Sequence, residues 1–168
     1  KQLSSLHKIQ KANELTNMSH MMLEKGLASQ IELYNIQTFA QGATGQEDKI
    51  NEMIAKATEA YKNAYAPYSN FLVGVCLRTD DDRLFSGCNV ENAAYGSSLC
   101  AEASALGAMV SNGGRNIKEI VIVVPDKKLC PPCGACRQRL YEFASLDTLI
   151  YFYNGSGDHK MLTMGELL

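Results

Sequence analysis

The sequence predicts a domain of the α/β class, in which a central sheet lies between layers of helices. Segments with helical hydrophobic spacing alternate along the chain with short apolar segments rich in β-branched residues. The segment KEIVIVV (118–124) contains a continuous apolar, β-branched run, which is typical of a strand covered on both faces. The 168 residues, 46% of them hydrophobic, are enough to bury one core of ordinary size.

The first helix of this domain is predicted from Glu47 to Tyr65. Its apolar residues recur at steps of three and four, and charged residues occupy the other face. Pro67 disfavours a helical backbone in the residue before it, so the helix should end by Ala66.

A domain boundary is predicted near Gly45. Residues 1–46 show only weak helical spacing, and the glycines of QGATGQ interrupt it. We therefore expect an N-terminal extension over residues 1–46, helical in character, and the main domain over residues 47–168.

Two strands, residues 71–77 and 83–90, are predicted to form a hairpin, because the acidic stretch RTDDD between them favours a turn. An Ala-rich helix should follow from about Cys100 to Val110, where the glycines of NGGR end it. After the strand at residues 118–124, three further elements are predicted: a helix at 133–144, a strand at 148–153 and the start of a helix at 163–168.

The charge and the cysteine content exclude several classes of function. A net charge of −2 and a pI near 5.9 argue against a polynucleotide partner. We find no apolar stretch of about 18 residues to span a membrane and no apolar segment typical of a secretory signal, so we expect a cytoplasmic protein. The six cysteines should then be reduced, and some of them could bind metal.

Cys133 and Cys136, within CPPCGACRQ, are the strongest chemical signal. At this spacing on the first turn of a helix, both sulfurs project toward one point. The N–H groups at a helix N-terminus also favour thiolates. A redox dithiol, or two cysteines that simply pack, would explain an isolated pair equally well.

Cys100, also at the start of a predicted helix, favours metal binding. Three thiolates suit Zn²⁺, and a catalytic zinc site keeps its fourth position open. Cys130 is the main candidate for a fourth ligand at that position. Cys76 and Cys88 lie in apolar strand segments, which favours a core position for both. The histidines are far away in sequence; they are His7, His20 and His159.

Glu102 is a carboxylate on a helix whose other residues are small or apolar. It could complement the helix dipole. A capping box is excluded, because Leu99 stands where the cap would be. A buried carboxylate needs a partner, and a water on a zinc ion held by Cys100 would be a suitable one.

Together these motifs resemble the zinc-dependent cytidine deaminases of the small, homotetrameric, three-cysteine type. The resemblance rests on APYSNFLVGV (66–75), GCNVENAAY (87–95), CAE (100–102) and PCGACRQ (132–138), in that order. It covers residues 47–168 and not the extension. It implies a three-layer α/β/α fold with a central mixed sheet of about five strands.

The resemblance also implies an activity, the hydrolysis of cytidine and deoxycytidine to uridine and deoxyuridine with release of ammonia, for pyrimidine salvage. Zinc, one ion per chain, would be held by Cys100, Cys133 and Cys136. Zinc-bound hydroxide would attack C4 of the base, and Glu102 would shuttle the protons.

Four further residues match positions that bind substrate in the family. Asn89 and Glu91 correspond to residues that bind the ribose hydroxyls. Phe71 corresponds to a ring that lines the pyrimidine pocket; the alternative is a core residue at the start of a strand. Tyr95 corresponds to a residue near the substrate that often comes from a neighbouring subunit, so the resemblance implies a homotetramer with shared active sites.

The chain departs from the family pattern at Ala103, where many relatives carry an arginine that offsets the thiolate charge. That task would fall to Arg137 and to the helix dipoles. Relatives also usually continue past the position of Leu168 with a proline and an aromatic tail.

Two other functions remain open at this stage. One is deamination of another nucleoside such as blasticidin S, whose deaminases share the cysteine motifs and lack the arginine, although Asn89 and Glu91 favour a ribose. The other is a non-catalytic zinc module, which would need a fourth protein ligand.

Overall fold

The computed structural model describes residues 30–168, with side chains from residue 45 onward. The chain divides into two compact units, Lys1–Asn51 and Glu52–Leu168. The described part of the first unit is helical, and the second unit contains the strands described below. None of the helices in the described part of the chain is long and apolar enough to cross a membrane.

The described elements comprise four α-helices, five strands and one short 3₁₀ turn. In chain order they are α1 (Gln30–Lys62), β1 (Gly74–Thr79), β2 (Leu84–Cys88), the 3₁₀ turn (Tyr95–Ser97), α2 (Ala101–Ser111), β3 (Ile117–Val123), α3 (Gly134–Tyr141), β4 (Ala144–Tyr153), β5 (His159–Thr163) and α4 (Met164–Leu167).

The five strands form one mixed sheet in the order β2-β1-β3-β4-β5. The β3–β4 pair is parallel and the other three pairs are antiparallel. β1 and β2 form the predicted hairpin, in which Asp82 adopts a left-handed backbone with φ 62°. The mixed five-stranded sheet confirms the predicted fold class.

Two glycines let helices approach both faces of the sheet. A Cβ atom at Gly74 in β1 would overlap the backbone carbonyl of Ala57 in α1. A Cβ at Gly87 in β2 would overlap the backbone nitrogen of Ala105 in α2. Gly87 pairs with Val75, the neighbour of Gly74, so the two glycines face opposite sides of the sheet. This arrangement gives the three layers of the α/β/α fold.

The main hydrophobic core lies on the face of the sheet that α2 covers. It joins alternate residues of the central strands to the inner faces of α2, α3 and α4. Its fully buried members include Val75, Leu77, Ala105, Met109, Ile120, Leu140, Ile150 and Met164.

Two predicted helix bounds differ from the structure. α1 runs without a break through Gly42 and Gly45, so the predicted interruption at QGATGQ is wrong. A glycine costs only about 1 kcal/mol inside a helix, which good helix formers around it can offset. α1 also ends at Lys62 rather than near Tyr65, because the backbone of Tyr65 pairs with Asn89 and Glu91 in an isolated bridge.

The strands show smaller differences. β1 begins at Gly74 instead of Phe71, β4 begins at Ala144 instead of Thr148, and β5 was not among the predicted strands. The expectation of helix over residues 1–29 lies outside the described residues. The boundary between the extension and the main domain stays a prediction.

Candidate active site

The site begins at the N-termini of two helices on the core side of the sheet. Cys100 is the N-cap of α2 and Cys133 is the N-cap of α3, both with extended backbone. Each sulfur therefore lies at the start of a helix, where the backbone N–H groups favour a thiolate. Cys136 follows in the first turn of α3 and is fully buried.

The Sγ atoms of Cys100, Cys133 and Cys136 all lie within 4.8 Å of one another. Three sulfurs at Zn–S distances of about 2.3 Å in tetrahedral directions would lie roughly 3.8 Å apart. The donor set and its spacing therefore fit zinc after a small contraction. This confirms the prediction that these three cysteines converge.

The electrostatics differ among the three thiols. The pKa of Cys133 is lowered, because the backbone N–H of Cys136 donates to its sulfur. Burial raises the pKa of Cys100 and of Cys136. A cation is needed to hold all three as thiolates, and a divalent metal supplies that charge.

Cys130 does not belong to this group of converging sulfurs. It borders the same cavity, and burial raises the pKa of its thiol to about 11. Cys76 is fully buried in β1, where burial raises its pKa to about 12, and Cys88 is half-buried at the end of β2. His159 lies in β5, and the other two histidines are outside the described residues.

Glu102 lies in the first turn of α2 and is 6% exposed. Burial raises the pKa of its carboxyl group, while hydrogen bonds from its own backbone N–H and from Cys136, and the charge of Arg139, act in the opposite direction. Glu119 is also buried, but it forms an ion pair with Arg78. Glu102 is thus a buried acid beside the thiol cluster, with a raised pKa that is typical of proton-transferring groups.

A cavity of about 720 Å³ opens above the cluster. Cys100, Cys133 and Glu102 lie in its wall, together with the four residues predicted to bind substrate. Those four are Phe71, Asn89, Glu91 and Tyr95. The structure therefore places residues from four separate sequence motifs around one space, large enough for a nucleoside.

Asn89 is half-buried just after β2, and both ends of its side-chain amide contact backbone. Its Oδ1 accepts a hydrogen bond from the N–H of Val73 at 2.9 Å, and its Nδ2 donates to the carbonyl of Phe71 at 2.8 Å. Since an amide nitrogen carries two hydrogens, one N–H remains for another acceptor.

Glu91 is held by the turn that precedes Phe71. Its Oε2 accepts from the N–H groups of Tyr68 at 2.9 Å and Ser69 at 3.2 Å, and its Oε1 accepts from the hydroxyl of Ser69. These bonds lower the pKa of Glu91, with the Ser69 hydroxyl as the largest cause. Sequence reasoning gave no role to Tyr68 or Ser69, although both stand in the quoted motif APYSNFLVGV.

Tyr95 and Arg137, the two remaining predicted site residues, have different surroundings. Tyr95 is 91% exposed at the edge of the cavity. The Arg137 guanidinium donates to the carbonyl of Pro132 at 3.0 Å and to that of Leu167 at 2.6 Å. These two bonds join α3 to the loop that carries Cys133 and to α4.

Comparison with known proteins shows similarity to cytidine deaminases. The model of the cytidine and deoxycytidylate deaminase zinc-binding region matches residues 47–153. A cytidine deaminase of Halalkalibacterium halodurans is 43% identical over 116 residues, which are 69% of this chain and 88% of that protein. The crystal structure of cytidine deaminase from Burkholderia pseudomallei superimposes with a TM-score of 0.67 at 41% identity, over 70% of this chain and 94% of that one.

A blasticidin-S deaminase from Bacillus cereus is a more distant relative, 31% identical over 55% of this chain and 71% of that protein. The longer and closer matches are therefore to cytidine deaminases. The thiol cluster, the buried acid and these matches lead to one conclusion: the chain belongs to the cytidine and deoxycytidylate deaminase zinc-binding family.

Proposed function

We propose that this protein is a zinc-dependent hydrolase that converts cytidine and deoxycytidine to uridine and deoxyuridine, releasing ammonia, as a step of pyrimidine salvage. The observation that carries the proposal is the buried carboxyl of Glu102 beside three sulfurs that lie within 4.8 Å of one another, in the wall of a nucleoside-sized cavity. The family match over residues 47–153 supports the same reaction.

Cys100, Cys133 and Cys136 would hold one zinc ion per chain. When bound, zinc supplies Lewis-acid activation of a water molecule near neutral pH. Two helix N-termini help to stabilise the thiolates electrostatically. Cys130 lies outside the converging group, which supports a site with an open fourth position.

Glu102 is the proton shuttle. Its carboxyl takes a proton from the attacking water and delivers it to N3 of the cytosine ring as C4 becomes tetrahedral. The carboxylate then takes the second proton from the new C4 hydroxyl and gives it to the amino group. The C4–N bond breaks, ammonia leaves, and C4 becomes the carbonyl carbon of the uracil ring. Burial raises the pKa of this carboxyl, which favours the protonated form that donates to the base.

Asn89 and Glu91 bind the sugar hydroxyls. The second N–H of Asn89 and the remaining lone pair of Glu91 are the groups that their hydrogen bonds to residues 68–73 leave available. Phe71 lines the space for the pyrimidine ring. A free base lacks the hydroxyls that these side chains bind, so we expect nucleosides to be preferred over cytosine.

Arg137 offsets part of the thiolate charge in place of the arginine that Ala103 replaces. Its position directly after Cys136 supports this, and its bonds to Pro132 and Leu167 keep it beside the loop that carries Cys133. The helix dipoles of α2 and α3 add to the effect.

The protein acts as a cytoplasmic homotetramer with shared active sites. In support, an exposed set of large side chains surrounds the mouth of the cavity, namely Tyr68, Tyr95 and Leu99. A second copy that covered them would complete the cavity with its own residues. All six cysteines are unpaired, which suits a reducing compartment.

The domain organisation follows the extent of the resemblance. Residues 47–168 are the deaminase domain and residues 1–46 an appended segment.

The test is the initial rate of ammonia release, measured in parallel with cytidine, deoxycytidine, cytosine, CMP and blasticidin S. We expect turnover of both nucleosides and little of the free base. Loss of activity on both nucleosides in zinc-loaded protein would defeat the proposal, and preferential turnover of blasticidin S would establish the alternative substrate.

A further inference from the structure

We propose that Ser69 is a positioning residue for the sugar site, whose hydroxyl fixes both the carboxylate of Glu91 and the backbone at Phe71. The inference rests on the proposed function. It concerns a serine on the rim of the cavity that makes two polar contacts, one to each of two predicted substrate-binding residues.

The direction of the two hydrogen bonds follows from the chemistry of the groups. The backbone N–H of Phe71 can only donate, so the Ser69 oxygen accepts from it at 3.0 Å. The carboxylate of Glu91 can only accept, so the single hydroxyl hydrogen of Ser69 goes to its Oε1. The hydroxyl therefore has one orientation, and it links the two residues.

The turn around Ser69 is built to present donors to Glu91. Asn70 adopts a left-handed backbone with φ 55°, a conformation that asparagine tolerates better than most residues. Its N–H bonds to the carbonyl of Ala66 at 2.9 Å and closes the turn. The N–H groups of Tyr68 and Ser69 then both point at Oε2 of Glu91.

Counting acceptor sites shows what remains for substrate. An ionised carboxylate offers about four lone-pair positions. Three of them are occupied on Glu91, by two backbone N–H groups and the Ser69 hydroxyl. One position remains, and its direction is set because the other three are held. Without the Ser69 hydroxyl, Oε1 of Glu91 loses the one hydrogen bond described here for it. The carboxylate can then rotate.

Asn89 holds the other end of the same segment through Phe71 and Val73. Ser69 therefore completes a frame in which residues 68–73 are fixed at both ends. Ser69 is exposed, so replacing it with alanine removes a hydroxyl without opening a cavity in the core. An effect on substrate binding would then report positioning and not loss of the fold.

The experiment compares kcat and KM of zinc-loaded wild type, Ser69→Ala and Ser69→Thr with cytidine and with 2′,3′-dideoxycytidine. Ser111→Ala is the matched control, because Ser111 is an exposed serine that donates to a backbone carbonyl far along α2. We expect Ser69→Ala to raise KM for cytidine by about tenfold with kcat changed less than threefold, a loss typical of one charge-assisted hydrogen bond.

The dideoxynucleoside has neither the 2′ nor the 3′ hydroxyl, so it cannot donate a hydrogen bond from these positions to Glu91. Its KM should therefore change by less than about threefold in Ser69→Ala. Ser69→Thr keeps a hydroxyl and should restore KM for cytidine to within about threefold of wild type. An independent measurement is the pKa of Glu91 by NMR, which Ser69→Ala should raise toward its ordinary value because the largest cause of its depression is gone.

The inference is overturned if Ser69→Ala leaves KM for cytidine unchanged, or raises KM equally for both nucleosides, in a protein whose wild type turns cytidine over. Failure of the proposed function is a separate result. In that case the wild type itself releases no ammonia from cytidine, whereas the pKa of Glu91 still reports whether Ser69 holds the carboxylate.

Discussion

Gly87 of β2 lies directly against the backbone of Ala105 in α2, with no room for a side chain between them. This contact sets how closely α2 packs on the sheet. Cys100 and Glu102 lie at the N-terminus of α2. The distance between α2 and the sheet therefore sets the positions of one metal ligand and of the acid together. The packing of this glycine is thereby coupled to the site.

Gly87→Ala should destabilise the protein, because a Cβ there would overlap Ala105 and also lie 2.9 Å from the carbonyl oxygen of Ala101. Helix α2 must shift outward. We expect a loss of about 2–4 kcal/mol in the free energy of unfolding, measured by urea denaturation of the zinc-loaded protein.

Gly107→Ala is the matched control, since Gly107 is exposed on the same helix and a Cβ there meets nothing within 4 Å. It should stabilise the protein by up to about 1 kcal/mol. Equal stability of Gly87→Ala and wild type would show that the helix does not pack as described.

Zinc content should depend on the three converging cysteines and not on their neighbours. Cys136→Ala removes a buried sulfur ligand and should bring the metal content from about one ion per chain to a small fraction of that, measured by atomic emission after dialysis. Cys88→Ala is the control and should keep its zinc, because Cys88 lies at the end of β2 outside the cluster.

Cys130→Ser decides whether the fourth position is open. We expect full zinc content, and an unchanged absorption spectrum after cobalt substitution, because the Cys130 sulfur is outside the converging group. A spectrum that loses one thiolate-to-cobalt charge-transfer contribution would show that Cys130 closes the site, as in a structural zinc module.

Glu102→Gln should make the metal-free, reduced protein more stable at pH 8. Burial raises the pKa of Glu102 in the folded state, so its contribution to stability is full below the ordinary pKa of 4.5 and is lost as pH rises through the folded value. Glutamine carries no charge, so the variant avoids this loss, on the order of 1–3 kcal/mol.

The stability difference should shrink as pH falls toward 4.5, which thermal unfolding at several pH values would measure. Glu142→Gln, an exposed substitution on the same chain, should differ from wild type by no more than about 0.5 kcal/mol at any of them. A Glu102→Gln variant less stable than wild type at pH 8 would mean that the folded protein stabilises the ionised carboxylate.

The thiol cluster could be predicted from the sequence because its members follow local rules. Cys100 and Cys133 both precede helices, and each helix start is recognisable in the sequence. The unusual position of Glu102 was recognisable because the rest of its helix is small or apolar, so the helix and its one carboxylate are expected to be buried. These signals depend only on the spacing of residues along the chain, and a single sequence is enough to show that spacing.

Other features depend on contacts between distant segments and could not be predicted in this way. The interruption at Gly45 was wrong, since a helix can continue through isolated glycines. β5 was missed, because the polar start of His159–Thr163 gives little strand signal at a sheet edge. The role of Ser69 depends on Glu91, 22 residues away, and no local pattern indicates that pairing.

The role of Glu102 in moving protons during deamination can be measured by ammonia release from cytidine. The comparison is between zinc-loaded wild type and zinc-loaded Glu102→Gln, each with its metal content measured. We expect wild-type turnover and a loss of about 10²–10⁴-fold or more in kcat for the variant at equal zinc content. Turnover of cytidine by Glu102→Gln at the wild-type rate, with zinc bound, would contradict the account.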